Sequence, residues 1–122
     1  MWQDYAVASH TADFKHERLD DHAKGDALAL IKYGLQRTQE QGLVATGEPK
    51  LDPRITGADP VDQPTSIEVV DCVDDTEWLR HKRGSAPGRD TVGGHSRAEA
   101  TVVLIKGFWK VSELYTHPAG TC

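Results

Sequence analysis

Three aspartates, Asp71, Asp74 and Asp75, surround Cys72 in the longest strand-like run of the chain. Two carboxyl groups that lie close together can share one proton and act as acid and base, because each negative charge raises the pKa of the other group. Clustered carboxylates also suit Ca²⁺ or Mg²⁺, but the chain has no loop of the EF-hand type. The alternative is structural, since aspartates often face water or accept hydrogen bonds from backbone N–H groups.

The histidines supply the second group of candidates, and they are scattered: His10, His16, His22, His81, His95 and His117. No two of them have H-x-H or H-x-x-x-H spacing, and there is no Cys-x-x-Cys, so the sequence predicts no metal site. No nucleophile or phosphate-loop motif is present, and we expect no cofactor. His95 or His117 could act as a general base beside Asp71 or Glu113, and these four are the candidate catalytic residues. Surface histidines without a catalytic role are the alternative.

Aromatic side chains indicate a place for a ligand. Trp78, Trp109 and Tyr115 occur in strand-like segments and could line a cavity beneath the helices. Aromatic walls with a few polar groups are typical of small-molecule pockets. The same residues could simply fill the core of a small protein.

The two cysteines, Cys72 and Cys122, allow one intramolecular disulfide. A bridge would hold the C-terminal segment and would imply an oxidising compartment. The alternative is a buried thiol at Cys72 and an exposed thiol at Cys122. Cys72 is a poor nucleophile candidate, because its acidic neighbours would raise the pKa of the thiol.

Composition limits the classes of protein that the chain can belong to. With 122 residues it is long enough for one domain with a small core, and 27% charged against 38% hydrophobic residues is an ordinary globular balance. A net charge of −5 argues against non-specific binding to nucleic acid. No apolar run has the length of a membrane span, and no signal peptide is recognisable.

Periodicity predicts helices first and strands afterwards. Apolar residues at helical spacing indicate a short helix over residues 1–8, then a polar loop over residues 9–18. A longer helix is expected over residues 19–41, with Asp20 or Asp21 as its N-cap.

The second half of the chain changes to strand-like alternation. Short strands are predicted over Leu43–Gly47 and residues 54–58, and a long strand over residues 65–80 with a bulge at Asp74 and Asp75. A Gly/Pro-rich loop over residues 82–95 precedes strands over residues 96–106 and 108–117. In the last strand, alternation would place Trp109, Val111, Glu113 and Tyr115 on one face. This order predicts an α+β domain with helices packed on an antiparallel sheet.

Two features of the chain carry a resemblance to known families. The order of elements and the closing strand with Gly107, Trp109, Val111 and Leu114 resemble the NTF2-like (cystatin-like, SnoaL-like) superfamily. The segments VDCVDDTEWL and WKVSELYTHPAGTC are similar to a family of uncharacterised actinobacterial secreted proteins and lipoproteins. The resemblance covers almost the whole chain, residues 1–122, as one domain. It implies a cone formed by a curved antiparallel sheet around N-terminal helices.

The resemblance also implies a setting and a set of alternative functions. It strengthens the expectation of a Cys72–Cys122 bridge and implies an extracytoplasmic domain, attached to a membrane only through an N-terminal anchor outside this sequence. Our leading hypothesis is a non-catalytic domain that binds a small molecule or an envelope protein. The alternatives are an isomerase or dehydratase that uses an acid–histidine pair in the cone, and a structural module that forms a homodimer. The fold alone cannot choose among them.

Overall fold

The computed structural model describes residues 1–87 and 93–122, so part of the loop predicted over residues 82–95 lies outside the described residues. Helix α1 (Trp2–Ser9), a 3-10 helix (Glu17–Asp20) and helix α2 (Gly25–Glu40) come first. Six strands follow within the described residues: β1 (Leu43–Gly47), β2 (Arg54–Asp59), β3 (Ser66–Asp74), β4 (Trp78–Lys82), β5 (His95–Ile105) and β6 (Phe108–Ala119). The predicted α+β class, with helices before antiparallel strands, is confirmed.

The strands form two antiparallel sheets. The larger sheet has four strands in the order β2-β3-β5-β6, and β1 pairs with β4 in a smaller one. The single strand predicted over residues 65–80 is therefore wrong, because β3 and β4 belong to different sheets. The chain turns between them at Asp74, whose Oδ1 accepts hydrogen bonds from the backbone N–H and the hydroxyl of Thr76 at 3.0 and 2.7 Å. Instead of the bulge predicted at Asp74 and Asp75, the strand ends at Asp74.

The single helix predicted over residues 19–41 is also wrong. An extended segment separates the 3-10 helix from α2, and Ala23, fully buried, lies beside Val111 of β6. Val111 N–H donates to the His22 carbonyl at 2.8 Å, and Lys24 N–H donates to the Val111 carbonyl at 2.9 Å. Gly25 then begins α2 with φ +54°, a conformation that favours glycine. Neither Asp20 nor Asp21 is the N-cap of α2, which is Lys24.

The core lies between the two helices and one face of the large sheet. Its buried cluster consists of Ala8, Leu19, Ala23, Ile31 and Leu35, with Leu114 of β6 packed against it. Helix α1 lies close to α2 at Gly34, where a Cβ atom would come within 2.6 Å of the Tyr5 hydroxyl. Ala27, Ile31 and Leu35 form the buried side of α2, whereas Leu30 is 40% exposed.

The large sheet has an inner face toward the helices and an outer face away from them. Asp71, Ala98 and Leu114 mark the inner face, and Glu68, Glu99 and Tyr115 the outer face. A register shift in β6 places an extra residue, Ser112, between those that pair with Val102 and Thr101. The prediction of one common face for four β6 residues is therefore wrong, since Trp109 and Val111 point to the inner side whereas Glu113 and Tyr115 point outward.

A disulfide joins Cys72 of β3 to Cys122, with 5.8 Å between the Cα atoms. Just before Cys122, the Thr121 hydroxyl oxygen accepts a hydrogen bond from the Arg97 backbone N–H at 2.8 Å, so the last residues lie beside the start of β5. The predicted bridge is present. In the part of the chain that the structure describes, no helix is long and apolar enough to cross a membrane.

Candidate functional site

Two adjoining cavities lie between the helices and the inner face of the large sheet. The first, which we call the aromatic cavity, has a volume of about 250 Å³, and the second, the apolar cavity, about 190 Å³. Trp2, Ala98 and Leu114 line both of them. Trp2 of α1 therefore stands at the boundary between two parts of one cleft.

Three aromatic rings form the helix-side wall of the aromatic cavity. The Trp2 and Tyr5 rings are nearly parallel at 6.2 Å, and Trp78 of β4 meets Tyr5 edge-to-face with ring centroids 4.9 Å apart. Trp78 Nε1–H donates a hydrogen bond to the Ser9 hydroxyl at 3.0 Å. Burial raises the pKa of the Tyr5 phenol. These contacts connect α1 to the small sheet and fix the orientation of the rings.

The opposite wall is open because its side chains are small. Ser96, Ala98 and Ala100 alternate along the inner face of β5, opposite Val73, Asp71 and Val69 of β3. Strand residues two apart point to the same face, so three small side chains in this pattern leave a depression in the sheet. Aromatic rings on one side and small residues on the other produce the cleft.

Among the described residues, Asp71 is the one acidic side chain that lines the apolar cavity. It is 7% exposed, and its Oδ1 accepts a hydrogen bond from the Asp52 backbone N–H at 2.7 Å. Burial raises the pKa of Asp71, although the backbone N–H groups of Asp52 and Cys72 oppose this change. The neighbours in the cavity are apolar: Leu51, Pro53, Val69, Ala100 and Val102. Within residues 1–87 and 93–122, Asp71 takes part in no ion pair.

Of the other candidate catalytic residues, His117 lines the aromatic cavity, whereas His95 and Glu113 line neither cavity. His117 pairs with Glu99, Nε2 to Oε2 at 3.2 Å, and His95 lies 3.6 Å from the Asp74 carboxylate. Glu113 is on the outer face opposite Thr101. The expected pairing of Asp71 or Glu113 with a histidine is therefore not found among the described residues. The actual partners, Glu99 and Asp74, depend on a strand register that the sequence did not reveal.

The aspartates around Cys72 do not form one cluster. Asp71 points to the inner face, Asp74 binds the turn through Thr76, and Asp75 accepts a hydrogen bond from the Gly94 backbone N–H. Asp74 and Asp75 thus accept hydrogen bonds from backbone N–H groups, which is the alternative to a catalytic role. No group of three or more His, Cys, Asp or Glu residues in the described ranges could hold a metal ion.

A larger concavity, about 550 Å³, lies on the outer face. Beside the apolar Val69, Val70, Ala100 and Leu114, it is lined by acidic and polar residues: Asp26, Thr56, Glu68, Glu99, Thr101, Glu113 and Tyr115. The Glu68 carboxylate accepts from the Thr101 hydroxyl at 3.0 Å, and hydrogen bonding to His117 lowers the pKa of Glu99. Because these carboxylates are exposed, water already satisfies them. We therefore regard the inner cleft as the stronger candidate site.

The three aromatic residues that were predicted to bind a ligand lie in different places in the structure. Trp78 lines the aromatic cavity, whereas Tyr115 is 62% exposed on the outer face and Trp109 is 39% exposed beside the β5–β6 turn. Trp2 and Tyr5 were not identified as site residues. Their three-residue spacing on one helix face was the signal that could have found them.

Comparison with known proteins supports the fold and no more. No family model and no curated protein matches the chain. Among solved structures, the fold is similar to the crystal structure of the intermembrane space region of the chloroplast protein ARC6, with a TM-score of 0.58. The sequences are 19% identical, and the match covers 97% of this chain and 88% of that one. At that identity, the similarity shows that the two chains share an α+β architecture over nearly their whole length.

Proposed function

We propose that this protein is a non-catalytic, extracytoplasmic ligand-binding domain that takes a small apolar or aromatic molecule into the inner cleft. The observation that carries this proposal is the aromatic cavity of about 250 Å³ between Trp2, Tyr5 and Trp78 on one side and Ser96 and Ala98 on the other. Protein interiors are normally packed about as densely as organic crystals. A cleft that small side chains keep open at the centre of a small domain is better explained by an occupant than by imperfect packing.

The chemical character of the cleft agrees with this assignment. Small-molecule sites are mostly apolar, with a few polar groups that fix the orientation of the ligand. Here Ser96 and Thr116 lie among the apolar residues, and Arg80 and Asp75 also line the cavity. A flat aromatic ligand could stack on Trp2 or pack against the edge of Trp78.

The compartment and the finer fold belong to the same proposal. The Cys72–Cys122 disulfide supports an oxidising compartment, since such bonds are rare in the reducing cytosol. A cone of the NTF2-like type is a proposal supported by helices lying on one face of an antiparallel sheet. Membership of the actinobacterial family of secreted proteins and lipoproteins remains a prediction from the sequence.

Tryptophan fluorescence can test ligand binding, because two of the three tryptophans line the aromatic cavity and the third does not. Trp2 and Trp78 line the aromatic cavity, whereas Trp109 does not. In a W109F variant, the fluorescence of tryptophan therefore comes from the cleft alone. We expect indole-free aromatic probes, such as 2-naphthol or 2-phenylethanol, to change this fluorescence saturably and to raise the melting temperature.

The matched control is the double variant W2F/W78F, in which Trp109 is the remaining tryptophan. Its fluorescence should not respond to the same probes. If no probe in a panel of neutral and charged aromatic molecules changes the signal of W109F or the melting temperature of the wild type, the proposed function is wrong.

The enzyme hypothesis retains one favourable observation, the buried Asp71 with its raised pKa beside a cavity. A general base of this kind needs a reacting group within hydrogen-bond reach and commonly a second acid–base group. No described histidine lines the apolar cavity with Asp71, and His117, which lines the adjoining aromatic cavity, is paired with Glu99 at 3.2 Å. We therefore prefer binding over catalysis. The homodimer hypothesis remains a prediction, which sedimentation analysis of the purified protein would test.

A further inference from the structure

Two aspartates are buried within residues 1–87 and 93–122, and their surroundings differ. Asp4 of α1, 2% exposed, is paired with the Arg18 guanidinium at 3.0 Å and with His22 Nδ1 at 2.7 Å. Asp71, 7% exposed, has no cationic partner among the described residues. A buried carboxylate without a counter-charge is costly, and proteins usually pair such groups. The absence of a partner at Asp71 therefore requires an explanation.

The position of Asp71 explains why it has no cationic partner, because the carboxyl group lies in the wall of the apolar cavity. Its carboxylate accepts hydrogen bonds from the backbone N–H groups of Asp52, at 2.7 Å, and of Cys72. An ionised carboxylate has about four lone-pair sites, so about half of its capacity to accept hydrogen bonds is left for another donor. Apart from Asp71, the side chains that line the cavity are apolar: Met1, Trp2, Leu51, Pro53, Val69, Ala98, Ala100, Val102, Val111 and Leu114. The terminal ammonium of Met1 lies 3.7 Å from the Asp4 carboxylate.

We propose that the inner cleft binds a primary amine, with the ammonium group in the apolar cavity against the Asp71 carboxylate and the aromatic or aliphatic body beside Trp2. This inference rests on the proposed function and names the class of its ligand. An ammonium group supplies both the missing positive charge and up to three hydrogen-bond donors. A carboxylate-bearing ligand would be excluded, because it would bring a second negative charge into the cavity.

The first experiment uses the wild-type protein and three probes of similar shape. Dissociation constants are measured at pH 7 by isothermal titration calorimetry for phenethylamine, 2-phenylethanol and 3-phenylpropanoate. We expect the amine to bind at least about tenfold more tightly than the alcohol, as a charge-assisted hydrogen bond to a buried carboxylate implies. The propanoate should bind more weakly than either.

The second experiment removes the charge of Asp71 while keeping its shape. In D71N the amine should lose its advantage over the alcohol, whereas the dissociation constant of the alcohol should change less than about threefold. E113Q is the matched control, since it removes one negative charge from the outer face and should leave the preference for the amine unchanged. Circular dichroism of D71N establishes that the variant is folded.

The outcomes separate this inference from the function on which it rests. If 2-phenylethanol binds the wild type as tightly as phenethylamine, the amine proposal is overturned while ligand binding stands. A folded D71N variant that keeps the preference overturns it too. The wild-type comparison decides the matter by itself if D71N does not fold. If none of the three probes binds, the amine proposal fails, and the wider probe panel decides whether the cleft binds ligands at all.

Discussion

When the carboxyl group of Asp71 is ionised, its buried charge lowers the free energy of unfolding of the protein. Burial raises the pKa of this group in the folded state, so the folded protein binds the proton more tightly than the unfolded chain does. The contribution of Asp71 to stability therefore decreases as the pH rises from the unfolded pKa to the folded pKa. Above the folded pKa the penalty is complete. A residue that destabilises its own fold in this way is typical of a functional site.

We therefore expect D71N to be more stable than the wild type at pH 7. Asparagine keeps an oxygen that can accept the Asp52 N–H hydrogen bond, but it carries no charge to bury. The difference in the free energy of unfolding should shrink as the pH is lowered through the folded pKa and become independent of pH below the unfolded pKa, where Asp71 is protonated in both states. Urea unfolding followed at several pH values measures this.

The exposed Glu113 again supplies the control, because E113Q should change stability little at any pH. A D71N variant that is less stable than the wild type at pH 7, by an amount that does not depend on pH, would show that Asp71 stabilises the fold through its hydrogen bonds. The amine proposal would then lose its energetic argument.

At the scale of elements, the contact between α1 and α2 is set by Gly34. A Cβ atom there would lie 2.6 Å from the Tyr5 hydroxyl, and Tyr5 cannot move freely because its ring packs against both Trp2 and Trp78. Because Gly34 has no side chain, Tyr5 can pack against α2 at this point, and the aromatic wall of the cleft can form.

A double-mutant cycle tests this contact. We expect G34A to destabilise the protein by about 1 kcal/mol, since the cost of overpacking exceeds the gain in helix propensity. In a Y5F background, where the hydroxyl is gone, G34A should instead stabilise by about 1 kcal/mol. Chemical unfolding of the four proteins gives the coupling energy. Equal effects of G34A in both backgrounds would show that the Tyr5 hydroxyl does not limit the approach of the helices.

A helix or strand could be predicted from the sequence where residues close by in the chain determine it. The class, the two helices and most strands could be predicted, because their apolar spacing is a local property of the sequence. The break between β3 and β4 could not, since an aspartate-bound turn and a bulge have similar residue types. The extended segment before α2 is determined by its pairing with Val111, which lies almost 90 residues further along the chain.

The site was less predictable than the fold for the same reason. Trp78 could be identified as a cleft residue, but its ring partners Trp2 and Tyr5 reach it only through packing of α1. The shift at Ser112 separates Trp109 from Tyr115 onto opposite faces, and no residue type marks it in the sequence. Asp71 could be singled out as an unusual acidic residue, whereas its isolation from cations is a property of the tertiary structure.

At the scale of the whole molecule, the disulfide closes a large part of the chain. Cys72 and Cys122 are separated by 50 positions, and the segment between them contains β4, β5 and β6. In the chain-entropy account, a closed loop of this size stabilises the native state by about 4 kcal/mol, because it restricts the unfolded ensemble.

Reduction should accordingly lower the free energy of unfolding by about 2–4 kcal/mol. Urea titrations with and without a reductant measure the change, and the double variant C72S/C122S provides a form without the bond under both conditions. Mass spectrometry should find no free thiol in protein isolated from an oxidising compartment. Two free thiols there, or a stability that reductant does not alter, would contradict the assigned bridge.

The closed segment also determines how the protein responds to proteases. Lys82 and Arg83, both exposed, lie inside it at the end of β4, where trypsin can cleave. A single cut at either residue divides the backbone in two, but the sulfur–sulfur bond still joins the pieces, and β3 remains paired with β5 across the cut. A nicked molecule therefore keeps its mass, apart from one added water, until it is reduced, and its cleft walls stay covalently connected.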